Sequence, residues 1–299
     1  MIPFNKEPVS VVKAKHKDVN IFSTDVVNID AKVVEAFGEE WLKFNNFDEE
    51  SIDKTAAEYF DIVNESIVNK DTYAIDIGCG TGRWSKYLSK RAGFIECVDP
   101  SKAIFAADIL LAESENVRLT QASTESLPFD DGVFDFAMSV GVLHHIPDTQ
   151  KAMQDCVRKV KTGGYFYCYL YYNLDNRQGI YKLMFRTSNL LRLFVSRLPQ
   201  NIKKVVCDIL AVVLYMPWVL AARFLVFLGL RPLAKKLPLA AYENKSFFII
   251  RNDSLDRFGT TLEQRFSKKE VIEMMENCGL AEIVVSPNTP YYHALGKRN

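Results

Sequence analysis

Apolar and polar positions between residues 73 and 172 follow two alternating periods. Short apolar runs are separated by about ten to fifteen residues whose apolar positions recur every three or four, which is typical of strands joined by amphipathic helices. Strands and helices in this order build a parallel sheet, so the carboxyl ends of the strands are expected along one edge. The pattern predicts strands near 73–77, 94–98, 117–121, 134–140 and 164–171, and helices near 82–91, 101–112 and 150–160.

The N-terminal flank is predicted to be mostly helical. Residues 30–47 place apolar side chains on one helical face, and a second helix, capped by Ser51, is expected to run to about residue 69. Residues 1–20 are polar and basic and lack the apolar core of a signal peptide. A strand-like flap or disorder is expected there.

The C-terminal flank returns to mixed α/β character. Ser267 and Glu270 match a capping box, so a helix is predicted to begin there and to stop at Gly279. Two strands are expected at 281–286 and 291–296, next to the other strands of the sheet. The predicted fold class is therefore α/β, with a doubly wound, mostly parallel sheet of seven strands and a helical insertion before the last two.

The insertion, residues 175–245, breaks the alternation. Its stretch 209–222 is apolar and uncharged, but Pro217 interrupts it and Asp208 and Arg223 flank it. A membrane-spanning helix needs about twenty mostly apolar residues, and with these interruptions the segment is expected to fall short. Two interpretations stay open, with a true span as the least favoured third. One is a helical cap packed over the sheet, and the other is a membrane-interfacial hairpin with its basic side chains at anionic headgroups.

The charge distribution adds weight to an anionic partner. The 299 residues sum to zero net charge, yet residues 177–236 carry eleven Lys and Arg against the single acid Asp208. Such segregation favours an anionic surface as partner. Long aliphatic runs between the basic residues make nucleic acid a poor candidate. Six scattered cysteines are typical of reduced thiols in a cytoplasmic protein, and attachment to the cytoplasmic face of a membrane is the alternative location.

The strand at 73–77 runs into three glycines at alternate positions, Gly78, Gly80 and Gly82. Glycine tolerates the dihedral angles of so tight a turn and leaves the backbone open to a ligand. About twenty residues later a second strand ends at Asp99, where a carboxylate can bind a pair of ribose hydroxyls. The spacing departs from the dinucleotide fingerprint, because Arg83 stands at the place of its last glycine. A cationic ligand also suits Asp76 better than a pyrophosphate does.

These residues resemble the first motif and the acidic loop of the class I S-adenosylmethionine-dependent methyltransferases. The resemblance extends over roughly residues 50–172 in the family's order, through the segments 76–82, 98–101, 121–129, 134–145 and 161–164. The nearest subgroup is the type 11, small-molecule enzymes. Ser123 stands where many relatives carry an acid for the adenine amino group.

The resemblance implies a Rossmann-like methyltransferase fold, S-adenosylmethionine as cofactor and S-adenosylhomocysteine as product. The cofactor-binding residues that it implies are Asp76, Gly78, Cys79, Gly80, Gly82, Trp84, Asp99, Pro100, Ser101, Ser123, Thr124, Val140 and Gly141.

Candidate groups for the chemistry follow the fourth and fifth strands. His145 is the first candidate for a general base or substrate contact, with packing under the loop as the alternative. The arginines of the polar run 251–266 suit phosphate or carboxylate recognition, and an internal lattice of salt bridges is the other interpretation. No metal site is predicted, since a third ligand is not evident. The predicted substrate-side residues are His144, Tyr171, Tyr172, Arg257 and Arg265.

The sequence predicts methyl transfer from S-adenosylmethionine to a small-molecule, glycan-precursor or lipid-linked acceptor. A non-catalytic membrane-docking protein on the same fold and a nicotinamide-dependent oxidoreductase are the alternatives. Four segments are predicted: 1–50 with a lid-like helix, 51–174 as the cofactor-binding core, 175–245 as the insertion, and 246–299 as the end of the sheet with a substrate-side loop. The aromatic residues of the predicted lid are Trp41, Phe44 and Phe47.

Overall fold

The computed structural model describes residues 1–23, 26–43, 48–175 and 179–299. It contains two compact units. The first, which we call the α/β unit, comprises Met1–Asp175 and Leu262–Asn299. The second, the helical unit, comprises Asn176–Thr261. The predicted insertion ended at residue 245, whereas the compact helical unit continues to Thr261.

The α/β unit is built on one sheet with the strand order β1-β2-β5-β4-β3-β6-β7-β9-β8. Strands β2 to β7 are parallel to one another. At one edge β9 runs antiparallel between β7 and β8, and at the opposite edge β1 runs antiparallel to β2. A doubly wound, mostly parallel α/β sheet is thereby confirmed. The strands are β1 (Ser10–Lys13), β2 (Asp18–Ile21), β3 (Tyr73–Ile77), β4 (Phe94–Val98), β5 (Val117–Gln121), β6 (Phe134–Val140), β7 (Val160–Tyr169), β8 (Leu280–Val285) and β9 (His293–Arg298).

The predicted count of seven strands was wrong, because among the residues that the structure describes nine strands form the sheet. The two additional strands, β1 and β2, form a hairpin whose inner strand pairs with β5 in the register Val19 to Leu119. All four residues of β1 are exposed, and Val19 is the buried residue of β2. An edge hairpin with so little buried surface shows no clear apolar alternation, so its sequence gives a weak strand signal.

The helices of the α/β unit lie between the strands and at the N-terminus. The capping box at Ser267 and Glu270 is confirmed. The cap predicted at Ser51 was wrong, because the carboxylate of Asp48 accepts the Ser51 amide and begins the helix earlier. The same helix ends at Tyr59 and not near residue 69, and a side-chain turn of Asn64 with Ser66 lies beyond its end. The helices are α1 (Ala31–Lys43), α2 (Glu49–Tyr59), α3 (Arg83–Ser89), α4 (Ile104–Leu110), α5 (Thr149–Val157) and α11 (Lys268–Asn277).

The helical unit contains one long helix, which is formed by α7, a π-helical turn and α8 without a break. The turn Ala211–Tyr215 directly precedes Pro217, and such a turn lets a helix continue past a residue that lacks an amide hydrogen. The helices are α6 (Gly179–Val195), α7 (Gln200–Leu210), α8 (Met216–Phe227), α9 (Arg231–Ala234) and α10 (Phe247–Gly259). The core consists of Val195, Cys207, Ala211, Tyr215, Val219, Ile250 and Phe258.

Two expectations about this unit were wrong. The segment Asn201–Phe227 is 27 residues long and contains an 18-residue stretch with a mean hydropathy of 2.2, and within the described part of the chain it alone is long and apolar enough to cross a membrane. Pro217 therefore does not shorten it. In addition, α10 occupies much of the run expected to be a polar loop, because Ser246 caps it and Ile250, Ser254 and Phe258 bury one face at intervals of four.

A buried ion pair fixes the N-terminal segment to the sheet. Arg118 on β5 donates two hydrogen bonds, of 2.8 and 2.7 Å, to the wholly buried carboxylate of Glu96 on β4. The same guanidinium donates to the carbonyl of Ile2 and lies over the ring of Phe4 at 3.9 Å. Burial raises the pKa of Glu96, although the hydrogen bonds and charge of Arg118 oppose that shift.

Replacing Arg118 by methionine should lower the free energy of unfolding at pH 7 by about 3–5 kcal/mol, because the Glu96 carboxylate then stays buried without its charged partner and keeps only the Tyr73 hydroxyl as donor. Urea unfolding measures this change. The double variant Arg118→Met with Glu96→Leu is the matched control and should recover much of the loss. Equal stability of the single and double variants would contradict the role of the pair.

Candidate functional site

The glycine turn after β3 brings the backbone close to the end of β4. A Cβ on Gly78 would lie 2.5 Å from Cγ2 of Val142, so a side chain has no room there. Gly80 has a φ of +55°, and a Cβ on it would meet no atom closer than Cδ1 of Trp41 at 3.9 Å. The amide of Gly80 donates a 2.9 Å hydrogen bond to Asp99. The turn and the acid that the sequence predicted at one edge therefore touch.

Asp99 is held by three donors. Its Oδ2 accepts the Gly80 amide, and its Oδ1 accepts both the amide and the hydroxyl of Ser101 at 2.8 and 2.6 Å. Burial raises the pKa of Asp99, and the hydrogen bonds from Ser101 and Gly80 oppose this rise. Each carboxylate oxygen offers about two lone pairs, so Oδ2 keeps capacity for a further donor. The carboxylate is thus fixed in orientation and still able to accept.

Asp76, at the next-to-last position of β3, is wholly buried and only half satisfied. Its Oδ2 accepts the Ser85 hydroxyl at 2.7 Å, while Oδ1 has no hydrogen-bond partner. Burial raises the pKa of this carboxyl to about 7, against the hydrogen bond from Ser85 and the charge of Arg83. A buried polar atom without a partner is costly, and its presence at a ligand site points to a donor or a cation on the ligand. An adenosyl sulfonium with an amino group fits that requirement.

Helix α1 lies over this part of the unit. Gly38 approaches Ser101 so closely that a Cβ on it would lie 3.1 Å from the Ser101 Cβ. The guanidinium of Arg83 lies over the rings of Trp41 and Trp84, at 5.4 and 4.4 Å. The lid role of α1 stays a prediction, and the two remaining aromatic residues named for it, Phe44 and Phe47, lie outside the described residues.

The other residues predicted on the cofactor side lie at the ends of β3, β4, β5 and β6 or shortly after them. Gly141, with a φ of +78°, donates its amide to the carbonyl of Tyr169. Ser123 shares a 3.0 Å hydrogen bond with Ser126 and begins the short turn that contains Thr124. Their cofactor contacts stay predictions. The remaining members of the set are Cys79, Gly82, Trp84, Pro100 and Val140.

His145 is oriented by a backbone carbonyl. Its Nδ1 lies 2.8 Å from the carbonyl oxygen of Leu262, which can only accept, so Nδ1 carries the proton. Nε2 of the neutral ring then keeps its lone pair. The ring of Phe37, on α1, lies 4.9 Å away. This tautomer suits a proton acceptor.

His144 differs from His145 in its hydrogen bonding. The side chain is wholly buried, neither ring nitrogen has a partner, and the ring stacks on Tyr171 at 3.9 Å. Burial lowers the pKa of His144 well below its usual value, and the charges of His145 and Arg265 add to this effect. The imidazole is therefore neutral near pH 7. Its predicted contact with substrate stays untested.

The remaining substrate-side candidates separate between the two units. Arg265 donates to Glu263 at 2.7 Å and to the carbonyl of Tyr172, and it lies over the ring of Tyr171. Arg257 belongs to the helical unit, where it donates to Ser188. Both arginines thus make internal contacts, and that of Arg265 with Glu263 is an ion pair. Their roles in binding stay predictions.

Sequence reasoning missed several contacts of the site. Ser85 follows Asp76 by nine residues on the next helix, and its small hydroxyl gave no signal. Leu262 contributes only a backbone atom and lies 117 residues from its partner His145. Phe37 was visible as part of an apolar helical face, but nothing in the pattern connected it with His145. Within the described ranges, no group of three His, Cys, Asp or Glu side chains could hold a metal ion.

The profile of the methyltransferase-domain family matches residues 75–168, which run from β3 into β7. The predicted resemblance is thereby confirmed for the part of the α/β unit that carries the glycine turn, Asp99 and both histidines.

Two curated relatives match the same part of the chain. A demethylmenaquinone methyltransferase of Staphylococcus aureus is 32% identical over 111 residues, which are 36% of this chain and 46% of that protein. A demethylmenaquinone methyltransferase of Shouchella clausii is 28% identical over 114 residues, which are 36% of this chain and 48% of that protein. The match thus spans about half the length of these relatives.

A solved structure with a similar fold comes from Haloferax volcanii, from the complex of the Trm112 methyltransferase activator with a methyltransferase. It covers 88% of this chain and 97% of its own, with a TM-score of 0.52 and 12% identity. At that identity the likeness shows the fold alone.

We expect Asp76→Asn to stabilise the ligand-free protein at pH 8 by on the order of 1–3 kcal/mol. The ordinary pKa of this carboxyl is about 4. Between pH 4 and pH 7 the folded chain binds a proton that the unfolded chain has released, so the Asp76 contribution to stability falls as pH rises. The asparagine removes that loss.

Denaturant unfolding at pH 4.5 and pH 8 measures this effect. The gain from Asp76→Asn should be small at the lower pH and larger at the higher one. Asp71→Asn, an exposed change close by, is the matched control and should have no such effect. A gain that does not change with pH would contradict the raised pKa.

Proposed function

We propose that the chain is a methyltransferase that uses S-adenosylmethionine and acts on a small-molecule acceptor. The observation that carries this proposal is the meeting of Gly80, Asp99 and the unpartnered oxygen of Asp76 at the ends of β3 and β4. When bound, the cofactor supplies a methyl group on a sulfonium centre. The family match of residues 75–168 supports the same activity.

Each residue of this group has a definable task in holding the cofactor. The Asp99 carboxylate, fixed by Ser101 and Gly80, accepts hydrogen bonds from the ribose hydroxyls. Oδ1 of Asp76 accepts from the amino group of the cofactor and gains the cationic neighbour that it lacks. Gly80 lets the ligand lie against the backbone.

Isothermal titration calorimetry with S-adenosylhomocysteine tests the cofactor site. Gly80→Ala should weaken binding at least tenfold, because its Cβ takes space beside the backbone. Gly163→Ala is the matched control, since Gly163 also has a positive φ, of +81°, and a Cβ on it meets nothing within 4 Å. Asp99→Asn should weaken binding as well. Unchanged binding in both site variants, or tight binding of NADH by the unaltered protein, would overturn the proposal.

We propose His145 as the group that takes a proton from the acceptor. Its Nδ1–H donates to the carbonyl of Leu262, and this bond orients the ring and leaves Nε2 as the proton acceptor. The rings of His144 and Phe37 flank it and limit the access of water. A hydroxyl or an activated ring carbon on the acceptor would need such a base, whereas a free amine would not.

His145→Gln should lower turnover by about 10²–10⁴-fold with the affinity for S-adenosylhomocysteine unchanged. Initial rates of S-adenosylhomocysteine formation and calorimetry provide the two measurements. The matched variant His144→Phe keeps a ring against Tyr171 and tests whether the neighbouring imidazole contributes. Full activity of His145→Gln would remove His145 from the mechanism.

The acceptor that we propose is an apolar, lipid-linked small molecule. The names of the two curated relatives give demethylmenaquinone as the acceptor of those proteins. A ring cluster of Tyr172, Tyr291 and Tyr292 lies at the ends of β7 and β9, with centroids 5.3 to 5.9 Å apart. Aromatic side chains at a strand edge suit an aromatic or isoprenoid acceptor. Rates of methyl transfer to a short-chain demethylmenaquinol and to a sugar nucleotide distinguish this class from a glycan precursor. We expect the quinol to be methylated and the sugar nucleotide not.

A further inference from the structure

We propose that the helical unit docks on an anionic lipid surface, with the outer face of its long helix at the boundary between headgroups and acyl chains. The long helix is α7, the π-helical turn and α8 together. This proposal does not depend on methyl transfer, since it concerns a separate unit and its test needs no activity.

The helical unit carries most of the exposed large apolar side chains. Among the described residues, nineteen of twenty-seven such side chains lie between residues 183 and 249. Single exposed apolar residues are ordinary on soluble proteins, but so many of them in one unit are typical of a binding surface. The most exposed of the set are Phe227, Phe194 and Leu183.

The long helix has its apolar residues on both faces. Its inner face packs into the core of the unit through residues four apart, among them Cys207, Ala211, Tyr215 and Val219. Its other positions would be polar on the surface of an ordinary soluble protein. Here ten of them are apolar and exposed, namely Ile202, Val205, Ile209, Val212, Val213, Leu214, Trp218, Leu220, Phe224 and Phe227.

The charge of the unit selects anionic lipid as the occupant of this face. Residues 176–261 carry fourteen Lys and Arg and four Asp and Glu, a net charge of +10, and the rest of the chain carries −10. Exposed basic residues such as Arg231, Lys235 and Lys236 directly follow the long helix. Apolar side chains among basic ones are typical of helices at anionic membrane surfaces. Two copies facing each other through this face would place +10 against +10.

The polar contacts of the long helix favour docking along the surface over spanning. Asp208 pairs with Arg251 at 2.6 Å, and Arg223 donates to the carbonyls of Glu243 and Lys245. Asp208 and Arg223 are fifteen residues apart, or about 22 Å along a helix, which is less than the hydrocarbon thickness of about 30 Å. A spanning helix would therefore hold at least one of these groups in hydrocarbon, at high cost. At the interface both reach the polar layer.

Vesicle flotation of the full chain tests the proposal. We expect recovery with vesicles of 70% phosphatidylcholine and 30% phosphatidylglycerol, much lower recovery with phosphatidylcholine alone, and weaker binding in 0.5 M NaCl than in 0.1 M NaCl. Equal recovery on the two kinds of vesicle would overturn the anionic surface. Protein that stays with the vesicles after an alkaline carbonate wash would indicate a span and overturn interfacial docking.

Two variants separate the apolar and the charged contributions. Phe224→Ser with Phe227→Ser should lower the partition coefficient at least tenfold, and Arg231→Gln with Lys235→Gln should lower it by on the order of tenfold on anionic vesicles only. The matched control, Val9→Ser with Val27→Ser, removes exposed apolar side chains from the α/β unit and should bind as the unaltered chain does.

Thermal unfolding of each variant shows whether the fold is kept. All of the substituted side chains are exposed, so we expect little loss of stability. Binding by both helical-unit variants that equals the unaltered chain would overturn the proposal. A second outcome would also overturn it: the unaltered chain does not float with vesicles and is a dimer in light scattering, whereas the phenylalanine variant is a monomer. A second copy of the chain would then be the occupant of this face.

Discussion

The hydrogen bond from the Gly80 amide to the Asp99 carboxylate is the contact on which the candidate site depends. It exists because β3 and β4 are parallel neighbours, so the turn after one strand and the last acid of the other meet at the same edge. An antiparallel pairing would separate these two groups, and a side chain at Gly80 would strain the backbone, which has a φ of +55° there. Ser101 donates two hydrogen bonds to the Asp99 carboxylate and so fixes the orientation of that group. Residues Ser101 and Lys102 also pack against Gly38 of α1.

Asp76 shows how stability and ligand binding oppose each other at this edge. A carboxyl that is wholly buried with one unpartnered oxygen lowers the stability of the free protein, and an apolar or amide side chain would remove that cost. A ligand that compensates such a cost would explain why it is retained, and a cationic ligand is the kind that would do so at Asp76. Burial raises the pKa of Asp76 and leaves its Oδ1 without a hydrogen-bond partner.

The two units differ in how they bury their apolar residues. The α/β unit buries its apolar residues on both faces of a sheet and carries the acidic excess, whereas the helical unit buries one face of its long helix and leaves other apolar positions exposed. A lipid-linked acceptor would connect these features, because an enzyme for such a molecule gains from residence at the surface where its acceptor lies. The π-helical turn before Pro217 preserves the length of the long helix and hence the size of that apolar face.

The sequence by itself determined the central strands, which match β3, β4, β5 and β6 residue for residue, and the grouping of Gly80 with Asp99. Local periodicity and parallel topology suffice for these features, since each needs only short-range pattern and a shared sheet edge. Tertiary structure alone decided the pairing of the polar N-terminal hairpin with β5, the carbonyl of Leu262 that orients His145, and the unpartnered oxygen of Asp76. These depend on contacts between residues far apart in the chain, or on the absence of a contact, and neither leaves a periodic signal in the sequence.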